Sequence, residues 1–257
     1  MADIRVSNFI KLNVRVLIKK KIKICKIMDN PNILHFIIHL PRNKERKLHL
    51  EKNVLPRLQN KKVINGIDWK INNLSKLLIE NNISIHNPND FLKGQVGCFL
   101  SHFLIWKYII SNNIEEIIIL EDDVTIPKNY YQLLKDINEI KINNPEFIYL
   151  YNHPAKYKND YSEELRMFYA LENFGTVGYY LTNSGARKLI EHFKTLIGPI
   201  DRQINFLILK KVLNGYMLNI SVLNTCGKIV KKMEDKKYFD SNVWESDKFT
   251  LINEKIP

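Results

Sequence analysis

The chain has 257 residues, 45% of them apolar, which suits one α/β domain with or without a small appendage. Its formal net charge is +12, from 39 Lys and Arg against 27 Asp and Glu, which favours anionic ligands or surfaces without choosing among them. Three widely spaced cysteines, Cys25, Cys98 and Cys226, form neither a metal-ligand pattern nor a disulfide framework, and no apolar run reaches the length of a membrane helix.

Residues 1–30 read as a basic extension, a peripheral strand or hairpin rather than a secretory signal. Its run from Lys19 to Lys26 is the part that could touch an anionic membrane. Ile33–Leu40, ILHFIIHL, is a buried strand between Pro31 and Pro41. PRNKERKLHLEKNVLPRL then turns helical, with Arg42 and Arg46 four residues apart on one face. Val63–Trp69 is a short strand running into a loop, and LSKLLIENN a short helix. In FLKGQVGCFLSHFLIWKYIISNN, Phe99, Phe103 and Trp106 recur at helical spacing, while Gly94 and Gly97 permit close backbone approach. Ile117–Leu120 is an interior strand that ends in three carboxylates, Glu121, Asp122 and Asp123. FIYLYN and GTVGYYL are further strands, separated by a polar loop or lid. Thr182 or Asn183 caps the helix in SGARKLIEHF, and GPIDRQINFLILKKV is a turn entering another helix. This alternation predicts an α/β fold, a mostly parallel sheet with helices on both faces. Residues 31–225 form the domain, and 226–257 a polar tail that packs on it or trails from it.

Adjacent carboxylates repel one another unless cations or hydrogen bonds offset the charge. A strand whose charges are simply solvated is the plain explanation for IIILEDDV. The alternative is a divalent-cation site at the carboxyl edge of the sheet, where open α/β folds bind ligands. If the strand continues, Glu121 and Asp123 point to one side and Asp122 to the other. A nucleotide-sugar transferase, a nucleotidyltransferase and a metal-dependent hydrolase could each use such a site.

Five stretches, taken in order, resemble glycosyltransferase family 25, the lipooligosaccharide and collagen sugar transferases. They are FIIHLPRNKERK, KGQVGCFLSHFLIWKYI, IIILEDDV, FGTVGYYLTNSGARKLI and GPIDRQI, spanning about residues 33 to 207. The resemblance implies a GT-A-like nucleotide-diphospho-sugar transferase fold. It also implies metal-dependent, inverting transfer of a hexose, galactose or glucose, from a UDP-sugar to a hydroxyl of a glycan or glycosylated acceptor. By matching position, Arg42 and Arg46 contact the diphosphate or support its loop, and Ser101 and His102 lie near the donor. Glu121 and Asp123 hold Mn²⁺, or Mg²⁺ in its place. Asp122 holds the nucleotide, and Asp201 acts near the reacting sugar. His39 stands where the family pattern leads us to expect asparagine, which alters donor-site hydrogen bonding.

Each assignment has a structural alternative. His102 could be a helix-face histidine bonded to backbone, and His35 and His39 plain strand residues. Cys98 and Trp106 could serve packing alone, and Glu121 could pair with a lysine. Asp201 could cap its helix by accepting the N–H of Ile204 or a neighbour. His153 is placed to reach a ligand, and Trp244 to anchor a surface segment. The chain is expected to be intracellular and soluble, peripheral at most to a membrane, with no nucleic-acid partner. The rival reading is a catalytically inactive scaffold of the same fold or a partner-binding protein; a basic nucleic-acid-binding module is less favoured, because no reading motif stands out.

Overall fold

The computed structural model describes residues 32–139, 144–152, 167–169, 173–218, 221–226 and 247–250. The basic extension, His153, most of the polar loop after it, Trp244 and most of the tail lie outside the described residues.

The described strands are β1 (His35–His39), β2 (Lys61–Asn65), β3 (Ser84–Ile85), β4 (Glu116–Glu121), β5 (Val124–Thr125), β6 (Phe147–Tyr149), β7 (Met167–Tyr169), β8 (Gly178–Thr182), β9 (Thr195–Leu196), β10 (Gly215–Leu218) and β11 (Asn224–Thr225). The helices are α1 (Lys44–His49), α2 (Leu74–Glu80), α3 (Lys93–Ser111), α4 (Tyr130–Glu139), α5 (Asn183–His192) and α6 (Ile200–Leu209). Seven strands form one sheet in the order β2-β1-β4-β8-β6-β10-β7. β2, β1 and β4 are parallel; β8 opposes both β4 and β6; β10 is parallel to β6 and antiparallel to β7. Five of the seven strands therefore run one way, and the sheet is flanked by helices as expected.

The apolar run before the carboxylates is explained by burial on both faces. Ile117 and Ile119 join Phe99, Leu100 and Trp106 of α3 in one core. Ile118 and Leu120 join Leu50, Val54 and Tyr130 in the core on the other face. The period of two thus carries β4 through both layers, so its end emerges between α3 on one side and α1 on the other.

Local chemistry sets the helix starts. Asn43 accepts the Arg46 N–H at 3.0 Å, Asn73 accepts that of Lys76, and Thr182 accepts that of Gly185. The basic helix is shorter than its sequence suggested. After His49 the chain widens into a π-turn over Leu50–Val54, then a 3₁₀ turn containing Pro56. β2 ends at Asn65 and not at Trp69, because the chain leaves the sheet to meet α3. Gly66 donates to His39 O and Ile67 to Ser101 Oγ. Phe249 donates to Phe91 O and Lys93 to Asp247 O, which ties residues 247–250 to the start of α3.

Close approach of α3 to that loop requires Gly97. A Cβ there would lie 2.7 Å from the Ile67 carbonyl oxygen, a backbone atom that cannot swing away. Gly97→Ala should therefore destabilise the protein by about 1–3 kcal/mol, the usual range for overpacking. Urea unfolding measures this, and an unchanged midpoint would contradict the proposed contact.

Candidate functional site

The carboxyl ends of β1 and β4 and the amino-terminal half of α3 enclose a cavity of about 110 Å³. Its lining includes Arg46, Ser101, His102, Glu121, Asp122 and Asp123. Six of the eight residues singled out in the sequence therefore meet here. Arg42 and Asp201 do not line the cavity.

The chain turns at Asp122 and Asp123 instead of continuing as a strand. Glu121 keeps the strand register and faces α3, with Oε1 accepting the Thr176 hydroxyl at 2.6 Å and lying 3.5 Å from His102 Nε2. Asp122 faces α1, accepting Arg46 Nη1 at 2.5 Å and His39 Nδ1 at 2.8 Å. Asp123 Oδ2 lies 3.4 Å from Arg46 Nη2, so Asp122 and Asp123 share one guanidinium rather than opposite sides of a strand. Arg46 is 6% exposed and lies between them.

These contacts sort the three acids. Burial opposes ionisation of Asp122, but the His39 hydrogen bond and Arg46 outweigh it and hold the carboxyl below its ordinary value. Burial likewise opposes ionisation of Glu121, and nearby His102, Thr176 and Arg46 bring it below the ordinary value. Asp123 differs. Burial pushes it up to about 7; Arg46 draws it down, while the charges of Glu121 and Asp122 add to the rise. Its Oδ1 is buried and without a hydrogen-bond partner. A buried carboxylate oxygen with no donor fits a cation. Asp123 and Glu121 are thus suited to holding a divalent ion.

The remaining assignments divide. Ser101 Oγ accepts the Ile67 N–H at 2.8 Å and donates to Gly97 O at 2.7 Å, so it fastens α3 to the loop after β2. His102 Nδ1 meets the Tyr179 hydroxyl at 2.8 Å, a side-chain partner in place of the backbone contact considered for it. Arg42 Nε donates to buried Asp68 at 2.6 Å, holding the ends of β1 and β2 together. Asp201 follows Pro199 in the first turn of α6, and its carboxylate accepts a neighbouring N–H of that turn rather than that of Ile204. Oδ2 accepts the N–H of Gly175 at 2.8 Å and Oδ1 that of Arg202 at 2.9 Å. Gly175 has φ +83°, a conformation suited to glycine, and Thr176, which holds Glu121, follows it.

Four further residues contribute to the site. His39, which stands in place of the expected asparagine, is a direct partner of Asp122. Trp69 lines the cavity with a buried Nε1 that has no partner. Thr176 lies within a strand-like run that gave no sign of its contact. Cys98 does more than pack: its Sγ, a His102 ring nitrogen and a Glu121 oxygen lie within 4.8 Å of one another, a grouping able to hold a metal ion. Its spacing of four from His102 was the available signal. His35 is structural as expected: it bonds Asn60 O and the Tyr130 hydroxyl, and burial lowers it to about 4.

Asp123 generates a pH prediction. Its folded-state pKa exceeds the unfolded value, so between about pH 4 and 7 the folded chain binds more protons. Its stabilisation is complete below that window and is lost as pH rises through 7. Asp122 and Glu121, held low, act in the opposite direction and only below about pH 4. With EDTA present, Asp123→Asn should flatten the fall in Tm between pH 4 and 7; with Mn²⁺ at neutral pH it should lose the ion's added stabilisation. A decline parallel to the wild type would contradict this origin.

Among the described residues, no helix is long and apolar enough to cross a membrane. Comparison with known proteins finds relatives among procollagen galactosyltransferases and among inactive members of the same family. It is 27% identical to procollagen galactosyltransferase 2 of Mus musculus over 168 residues, 60% of this chain and 27% of that protein. It is 26% identical to inactive glycosyltransferase 25 family member 3 of Homo sapiens over 167 residues, 60% of this chain and 28% of that protein. The chain thus spans less than a third of the length of these curated relatives. Among solved structures, A197 from STIV aligns with a TM-score of 0.37 at 11% identity, covering 75% of this chain and 83% of that one. The profile of glycosyltransferase family 25 (LPS biosynthesis protein) matches residues 32–204, which include β1, Arg46, the Ser101-His102 pair, the three carboxylates and Asp201, and the chain belongs to that family.

Proposed function

We propose that the chain transfers a hexose, galactose or glucose, from a UDP-sugar to a hydroxyl of a glycan or glycosylated acceptor. The observation that carries this reading is the buried, unpartnered Asp123 Oδ1 beside Arg46 and Glu121, at a sheet edge in a family of sugar transferases. Asp123 and Glu121 would hold Mn²⁺, or Mg²⁺ in its place; once bound, the ion supplies positive charge for the departing diphosphate. Asp122, oriented by His39 and Arg46, is suited to hold the nucleotide. A second groove of about 450 Å³ lies beyond Trp69, bordered by Lys70 and Lys93, and gives room for the remainder of a donor.

Inverting transfer needs a base at the acceptor hydroxyl. Asp201 is our candidate. The Gly175 and Arg202 N–H groups fix its orientation and leave a lone pair on each oxygen for a hydroxyl proton. The same bond to Gly175 places Thr176 over Glu121, so Asp201 also shapes the donor side. A non-catalytic scaffold is the competing reading, favoured by the similarity to inactive family members.

The test is a UDP-sugar transfer and hydrolysis screen, with Mn²⁺ present or chelated, repeated with Asp201→Asn. We expect metal-dependent turnover of UDP-galactose or UDP-glucose. The variant should lose at least about 100-fold in kcat, the usual range for removing a general base, with UDP affinity retained. Near-normal turnover would reduce Asp201 to a structural role. No donor turned over or bound under any metal condition would favour the scaffold.

A further inference from the structure

We propose that Cys98, His102 and Glu121 form a second cation site in the wall of the same cavity, selective for a borderline ion such as Zn²⁺ over Mn²⁺. Cys98 and His102 are four apart on α3 and so share one face, which looks onto Glu121 at the end of β4. Their ligand atoms lie within 4.8 Å of one another, close enough for small side-chain rotations to bring them onto one ion with bonds of roughly 2.0–2.3 Å. His102 is 1% exposed, and its Nε2 is buried without a hydrogen-bond partner, 3.5 Å from Glu121 Oε1.

The groups behind these atoms are arranged as a metal site requires. Tyr179 Oη accepts the Trp106 indole N–H at 3.0 Å and lies 2.8 Å from His102 Nδ1. With Nδ1–H donating to that oxygen as well, the Nε2 lone pair is free for an ion. Thr176 donates to Glu121 Oε1, the oxygen that faces His102, and leaves it a second lone pair. All three ligands line the cavity, which gives an ion its entry path and an open fourth position.

Ligand type decides the selectivity. A thiolate and an imidazole suit Zn²⁺ and Co²⁺, whereas Mn²⁺ prefers an oxygen shell. Coordination forms the sulfur–metal bond as the Cys98 thiol releases its proton to solvent. An ion here engages Glu121 and so competes with an Mn²⁺ ion held by Glu121 and Asp123. Only this competition rests on the transferase reading; the site itself does not.

Co²⁺ titration of the full-length protein after EDTA treatment and dialysis tests the proposal by absorption spectroscopy. We expect one tetrahedral Co²⁺ per chain with a thiolate-to-cobalt charge-transfer band, removed by added Zn²⁺. Cys98→Ser should lose the band and weaken Zn²⁺ binding at least tenfold, with its circular dichroism unchanged. Cys226→Ser should keep the band, and Asp123→Asn should keep Zn²⁺ affinity. Absence of the band in wild type, or its persistence in Cys98→Ser, would overturn the site. Mn²⁺-dependent UDP binding, measured separately, distinguishes failure of this site from failure of the transferase reading.

Discussion

The guanidinium of Arg46 is the constraint on which the rest of the site depends. Three consecutive carboxylates at the end of a buried strand would repel one another, and two of them are nearly inaccessible: Asp122 is 4% exposed and Asp123 8%. Arg46 lies against both, and their charges help raise its own pKa despite its burial. Removing one partner from a buried ion cluster typically costs about 3–5 kcal/mol, because the charge left behind has no compensation. One arginine cannot satisfy three acids. His39 completes Asp122, Thr176 and His102 support Glu121, and Asp123 keeps an oxygen without a donor. The unbalanced acid is the one best suited to an added cation.

The sheet positions this arrangement. Because β4 is buried on both faces, its alternation delivers Glu121 toward α3 and Asp122 toward α1, and the turn then sets Asp123 beside Asp122 on Arg46. Each helix then brings its own chemistry: thiol and imidazole from α3, guanidinium from α1. The contact between Gly97 and Ile67, with the Ser101 bond one turn later, keeps α3 close to the end of β2 and sets that wall of the cavity. On the other side, Asp201 fixes Gly175 and through it Thr176. The acid at the start of α6 and the acid at the end of β4 are therefore mechanically linked.

Much of the fold was legible because apolar periodicity is strong in this chain. The two-sided strand ending at Glu121, the long apolar helix and the Thr182 cap each follow from local chemistry. Boundaries were less legible where tertiary contacts override propensity, as where Ser101 draws the chain out of β2 at Ile67. Of the site, the acids, Arg46 and the Ser101-His102 pair were visible as polar residues in apolar or motif-like surroundings. The parting of Glu121 from Asp122 follows from strand alternation; the place of Asp123 does not, because the chain turns and sets it beside Asp122 on Arg46. Thr176 was hidden for the opposite reason: it fits its segment so well locally that only the packed sheet brings out its contact with an acid. The Cys98–His102 spacing was visible, but it acquired meaning only when β4 set Glu121 opposite.

We propose that the carboxylates at the end of β4 and Arg46 bind the donor's diphosphate with the help of a metal ion. Calorimetric titration of the wild-type protein with UDP, in Mn²⁺ and again in EDTA, tests it most directly. The expected result is stoichiometric UDP binding in Mn²⁺ that weakens at least tenfold when the ion is chelated, about 1.4 kcal/mol or more. Equal UDP affinity with and without the ion, or no binding in either, would contradict it.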